Sequence, residues 1–153
     1  MNNGYRESLE IDAPPAAVWA VVSDVTRLPV VLSGMTALEV EGPDSDFRVG
    51  LTWTQTRVIA GRTGSERLRI TEIEPGRSYV TEGGSHGFDY RTTWAVEEIG
   101  EHRARMGCTF EGHPRTTVAK LMLRLFGAAG AKATRKAMRT DLHDIARAAA
   151  GLR

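Results

Sequence analysis

The chain is 153 residues long, 41% hydrophobic and 25% charged, with a net charge of +1, a composition that fits a soluble globular protein with a sizeable core and gives no sign of disorder. The opening MNNGYRESLE lacks a signal-type apolar stretch, and nowhere do 18 apolar residues run uninterrupted, so the expectation is one cytoplasmic domain over residues 1–153 with no membrane span. The lone Cys108 excludes an internal disulfide, and the four scattered histidines have no ligand spacing, so neither a metal nor another cofactor is expected.

Leu9 and Ile11 alternate with Glu10 and Asp12, the period of a half-buried strand. Pro14 and Pro15 stop that ladder and pre-set φ for a first helical turn. Val18, Val21 and Val22 then fall on one stripe of a short helix, with Trp19 beside it.

From residue 35 to 111 the pattern is all strand, punctuated by turn signals at Glu41-Gly42-Pro43-Asp44, Gly61-Arg62, Pro75-Gly76, Gly83-Gly84 and Gly100-Glu101. Six strands fit there, and short loops make them an antiparallel meander. In GFDYRTTWAVEE, residues 87–98, Phe88, Tyr90, Thr92, Trp94 and Val96 share one face. Ala104, Met106, Cys108 and Phe110 repeat the pattern in the next strand, so one face of the sheet is apolar and the other wet.

Beyond Pro114 the period changes to that of a helix, with Pro114 in its first turn. Val118, Leu121, Met122, Leu125, Ala129, Ala133, Ala137, Leu142, Ile145 and Ala149 are read as the apolar stripe facing the sheet. The stretch GAAGA, residues 127–131, puts small side chains mid-helix, where they either let the helix approach the sheet or leave room above it. Residues 115–153 hold nine Lys or Arg against two Asp. Those charges are what a solvated outer face shows, so neither nucleic acid nor a membrane surface is the expected partner.

The stretches IDAPPAAVWAVVSD, PGRSYVTEGGSHGFDYRTTWAVE and CTFEGHPRTTVAKLMLRLFG, with this order of elements, resemble the START-like (SRPBCC) superfamily, in its polyketide cyclase/dehydrase branch. The resemblance implies an α+β helix-grip fold: a seven-stranded curved antiparallel sheet wrapped around a long C-terminal helix, with short helices after strand 1. It implies a deep cavity between sheet and helix that binds a hydrophobic or amphipathic small molecule of lipid or polyketide type, in a monomer or homodimer. The helix bearing Trp19 would close one end of that cavity. Relatives often carry an aromatic residue where this chain reads Leu28-Pro29-Val30-Val31-Leu32, which implies a more aliphatic entrance.

Polar residues on the apolar face mark where such a cavity would bind a head group. A hairpin centred on Gly61-Arg62 pairs Trp53 with Ile70, Gln55 with Leu68 and Arg57 with Glu66, which turns Gln55, Arg57 and Glu66 inward and makes Glu66 the partner of Arg57. The candidate ligand-binding set is Trp19, Trp53, Gln55, Arg57, Glu66, Leu68, His86, Tyr90, Trp94, Met106, Phe110 and Leu125. Tyr90, Glu66 and His86 are candidate acids or bases should the cavity catalyse a cyclisation or dehydration. A plainer reading fits the same residues: Arg57 and Glu66 as a rim pair, Tyr90 as core with its hydroxyl at water, and His86 as a turn residue. Cys108 alternates with Met106 and Phe110 and is read as a packed core thiol.

Overall fold

Seven antiparallel strands form one sheet in the computed structural model, which describes residues 4–151. The chain runs β1 (Gly4–Ile11), α1 (Pro15–Val22), a 3-10 turn (Val25–Arg27), α2 (Leu28–Val31), β2 (Met35–Val40), β3 (Thr52–Ile59), β4 (Arg62–Glu74), β5 (Ser78–Ser85), β6 (Phe88–Gly100), β7 (Arg103–Pro114) and α3 (Thr117–Gly151). Strand order is β1-β7-β6-β5-β4-β3-β2. The short helices therefore carry the chain from one sheet edge to the other, and the meander returns it to lie beside β1. This is the helix-grip architecture.

The corner after β1 forms as its prolines dictate. Pro14 is extended at φ −67° and ψ 152°, and Pro15 opens α1. Val18, Val21 and Val22 are buried against the core. The helix end is satisfied from across the molecule, because the buried Tyr79 hydroxyl donates to the Val22 carbonyl at 3.0 Å.

Irregularities between Met35 and Ala37, Ile70 and Glu72, and Glu98 and Gly100 bend three strands, which lets the sheet curve around α3. The ends of α3 are held differently. Thr116 Oγ1 accepts the Ala119 amide at 3.0 Å, and the Arg115 amide bonds the Gly87 carbonyl at 2.7 Å, fixing the helix start to the β5–β6 turn. Farther along, Arg135 and Arg139 both donate to Glu7 of β1 at 3.0 Å, and Asp144 accepts the Ser33 amide and hydroxyl at 2.8 Å each.

Four local expectations are corrected. The β3–β4 turn is Ala60-Gly61, with φ of 52° and 76°, so Trp53 pairs Leu68, Gln55 pairs Glu66 and Arg57 pairs Gly64. This moves every partner by two residues and leaves the faces unchanged. Gly83-Gly84 lies within β5, and the turn is His86-Gly87 with φ of 51° and 81°. Pro114 ends β7, opposite Phe88, rather than opening α3.

The last correction concerns the stripe of α3. Val118, Leu121, Met122, Leu125 and the neighbouring Phe126 are exposed, whereas Ala119, Met138, Asp141, Leu142, Asp144, Ile145 and Ala149 are buried. Apolar residues surround the first half of α3 on several sides, so periodicity could not choose its inner face. Among the described residues, no helix is long and apolar enough to cross a membrane.

Candidate functional site

Between the curved sheet and α3 lies a cavity of about 700 Å³. Its apolar part is built from Leu28 and Leu32 at α2, Met35 on β2, Trp53 and Leu68 on β3 and β4, Trp94 on β6, Phe110 on β7, and Met138 and Ile145 on α3. The alternation of each strand places these side chains inward. Leu28 and Leu32 make the helical corner of the lining aliphatic.

The polar part is concentrated around the β3–β4 hairpin. The Trp53 indole donates to Gln55 Oε1 at 3.0 Å, and Gln55 Nε2 donates to Glu66 Oε1 at 2.9 Å. Burial pushes the Glu66 carboxyl above its ordinary value, against the pull of the Gln55 hydrogen bond and of the Arg57 charge. Arg57 donates to Asp141 on α3 at 2.6 Å, so the charge pair spans the space between sheet and helix. Burial pushes the Asp141 carboxyl up, and Arg57 opposes that rise. Arg57 Nε is buried without a hydrogen-bond partner among the described residues. Thr63, Ser65, Ser85, His86, Tyr90 and Thr92 add hydroxyls and an imidazole around this end. An apolar chamber with one polar end is suited to an amphipathic guest.

The sequence matches, over residues 5–150, the family described as "Polyketide cyclase / dehydrase and lipid transport". The chain belongs to that family. Solved structures share its fold. The Zhui aromatase/cyclase of Streptomyces sp. R1128 superposes with a TM-score of 0.79 at 14% identity, covering 97% of this chain and 94% of its own. A START superfamily protein from Mycobacterium smegmatis gives 0.69 at 12% identity, covering 95% and 99%. Norcoclaurine synthase from Thalictrum flavum gives 0.69 at 18% identity, covering 96% and 92%. At these identities the likeness is one of fold. No curated protein matches the sequence.

In this member of the family the cavity collects Trp53, Gln55, Arg57, Glu66, Leu68, His86, Tyr90, Trp94 and Phe110 from the residues the sequence singled out. Three of them lie elsewhere. Trp19 packs edge-on against Phe47 and Tyr79, with ring centroids 5.8 and 6.1 Å away, and so braces the outer side of Tyr79 rather than lining the chamber. Met106 is fully buried in the core, paired with Leu9 and Val96. Leu125 points outward and is 64% exposed, because the inner face of α3 passes through Thr134, Met138, Asp141 and Ile145.

The expected Arg57–Glu66 pair is also replaced: Arg57 bonds Asp141, and Glu66 bonds Gln55. Asp141 is the charged cavity-lining residue that sequence reasoning missed. Its signal was available, since the only two carboxylates of residues 115–153, Asp141 and Asp144, flank Leu142 and Ile145 on the buried face. Cys108 lines the cavity, and burial pushes its thiol up, so it is held protonated and suits packing better than attack. Among the described residues no three His, Cys, Asp or Glu side chains are grouped to hold a metal ion.

Proposed function

We propose that this protein binds an amphipathic small molecule in the 700 Å³ cavity, with the polar end of the guest at Gln55, Arg57 and Glu66 and its apolar part among Trp94, Phe110, Met138 and Ile145. The observation that carries this reading is Arg57 Nε, a buried donor without an acceptor among the described residues, in the wall of an otherwise largely apolar chamber. A buried donor without a partner costs free energy, and a carbonyl or carboxylate oxygen of a guest offsets that cost. The family description, which includes lipid transport, supports the same class of guest.

Native mass spectrometry of the freshly purified protein, compared with the denatured protein, tests the proposal. A mass surplus that disappears on denaturation is the expected result. A protein that is apo as isolated and takes up no fatty acid offered to it refutes the reading.

A second reading is favoured by Glu66. A carboxyl whose hold on its proton is strengthened by burial, lining the same chamber as Tyr90, is placed to donate a proton to a carbonyl, the step that a cyclase or dehydratase needs. Similarity to an aromatase/cyclase supports this alternative. Incubation with a linear poly-β-ketone thioester separates the two. Under the enzymatic reading the wild type cyclises or dehydrates the thioester, whereas Glu66→Gln binds it without turnover. Unchanged substrate with wild type leaves only the binding role.

A further inference from the structure

A second cavity of about 250 Å³ lies beneath the first half of α3. Tyr5 of β1, Phe88 and Tyr90 of β6 and Phe110 of β7 form its sheet side. Its helix side is Met122, Leu123 and Phe126 together with Gly127, Gly130 and Ala131. Among the described residues, none of those lining it is charged. The small residues create the space: a methyl group built on Gly130 meets nothing within 4 Å, and one on Gly127 meets only Leu123, at 3.6 Å. The GAAGA stretch therefore leaves room above the sheet rather than drawing the helix onto it.

The two cavities share Tyr90, Phe110 and Thr134. The Tyr90 and Phe110 rings stand 5.3 Å apart at 34°, so side chains rather than backbone separate the chambers. Phe88 stacks on Tyr90 at 6.1 Å and Tyr5 on Phe110 at 6.3 Å, extending a row of four rings from the partition. Side chains change rotamer far faster than a sheet deforms, so a narrow guest passes such a partition where a fused ring system does not.

We propose that the second cavity is a subsite for the tail of the guest. The guest is then an elongated molecule with a carboxylate or carbonyl at Arg57 and a flexible hydrocarbon chain that passes between Tyr90 and Phe110 to end under Gly127 and Ala131. This rests on the head-group reading above and adds to it the length and flexibility of the ligand. The chain length accepted is set by the small residues of α3.

The test is a native mass spectrometry titration of wild type, Gly127→Leu and Ala131→Leu with saturated fatty acids of about 8 to 18 carbons, the range over which each buried methylene tightens binding about fourfold. Leucine at either position fills the second cavity. At Gly127 it also raises helix propensity, and Ala131→Leu serves if that variant does not fold. Wild type is expected to gain affinity to long chains, while both variants match it on the shortest acids and bind the longest ones at least tenfold less well. Variants that follow wild type along the whole series overturn the proposal. So does a wild type that stops gaining at short chains, an outcome that leaves the head site standing. A wild type that holds none of the acids overturns the head-site reading and the tail subsite together.

Discussion

Arg57 and Asp141 are each the other's compensation. Their side chains are only 14% and 7% exposed, and removing the cation leaves a carboxylate buried without a counter-charge. Arg57→Leu is expected to destabilise the fold by about 3–5 kcal/mol, whereas the double change Arg57→Leu, Asp141→Leu recovers most of the loss. Urea unfolding of the three proteins checks this; a double variant no more stable than the single one shows that the pair is not an independent unit.

Glu66 gives a pH signature. Its folded carboxyl holds a proton above the ordinary value of 4.5, so across the window from that value up to the raised one the folded state binds more protons than the unfolded chain. Stability therefore falls as pH rises through that window. Glu66→Gln has no proton to lose, so its melting temperature relative to wild type should increase between pH 4 and pH 7. A constant difference means that Glu66 ionises as easily folded as unfolded. Inward placement of Gln55, Arg57 and Glu66 was legible in the alternation of β3 and β4. Their bonds were not, because partnership across the cavity depends on which side of α3 carries Asp141.

At the scale of elements, one glycine shows how close packing rather than turn geometry selects residue type. A methyl group built on Gly83 lies 2.3 Å from the Arg67 carbonyl oxygen and 2.6 Å from a Leu68 methyl, so β4 occupies the space a side chain needs. Gly107, in the middle of β7, has nothing within 4 Å. Gly83→Ala should cost about 1–3 kcal/mol, the scale of overpacking, and Gly107→Ala close to nothing. Their urea midpoints decide it, and equal midpoints mean that β4 shifts to accommodate the methyl.

The Gly83-Gly84 pair reads as a turn in the sequence because both packing and turns select glycine. The real turn, His86-Gly87, holds a histidine in the left-handed region, which composition alone does not announce. The order and type of the elements were readable because strand alternation and helix period are local. The register of β3 on β4 was missed by two residues because the choice between Ala60-Gly61 and Gly61-Arg62 rests on which pair tolerates two positive φ angles.

Across the whole molecule, α3 is one helix with two mechanical roles. Its second half carries Met138, Leu142, Ile145 and Ala149 into the core and is tied to the loop after α2 through Asp144. Its first half lies over a cavity, presents Leu121 and Leu125 to solvent, and is anchored at its start by Thr116 and the Gly87 carbonyl. Buried apolar contact sets how often a segment opens, so the two halves should open at different free energies although one hydrogen-bond ladder runs through both. Native-state hydrogen exchange should find amides around Leu142 and Ile145 exchanging only with global unfolding, and those of residues 121–131 exchanging by local opening at least tenfold faster. A long-chain fatty acid that fills the second cavity should slow the first half selectively, because the opened helix loses the tail contacts. Uniform exchange along α3 would show that the helix opens as one unit, and the second cavity would then have to fill without the local opening this packing implies.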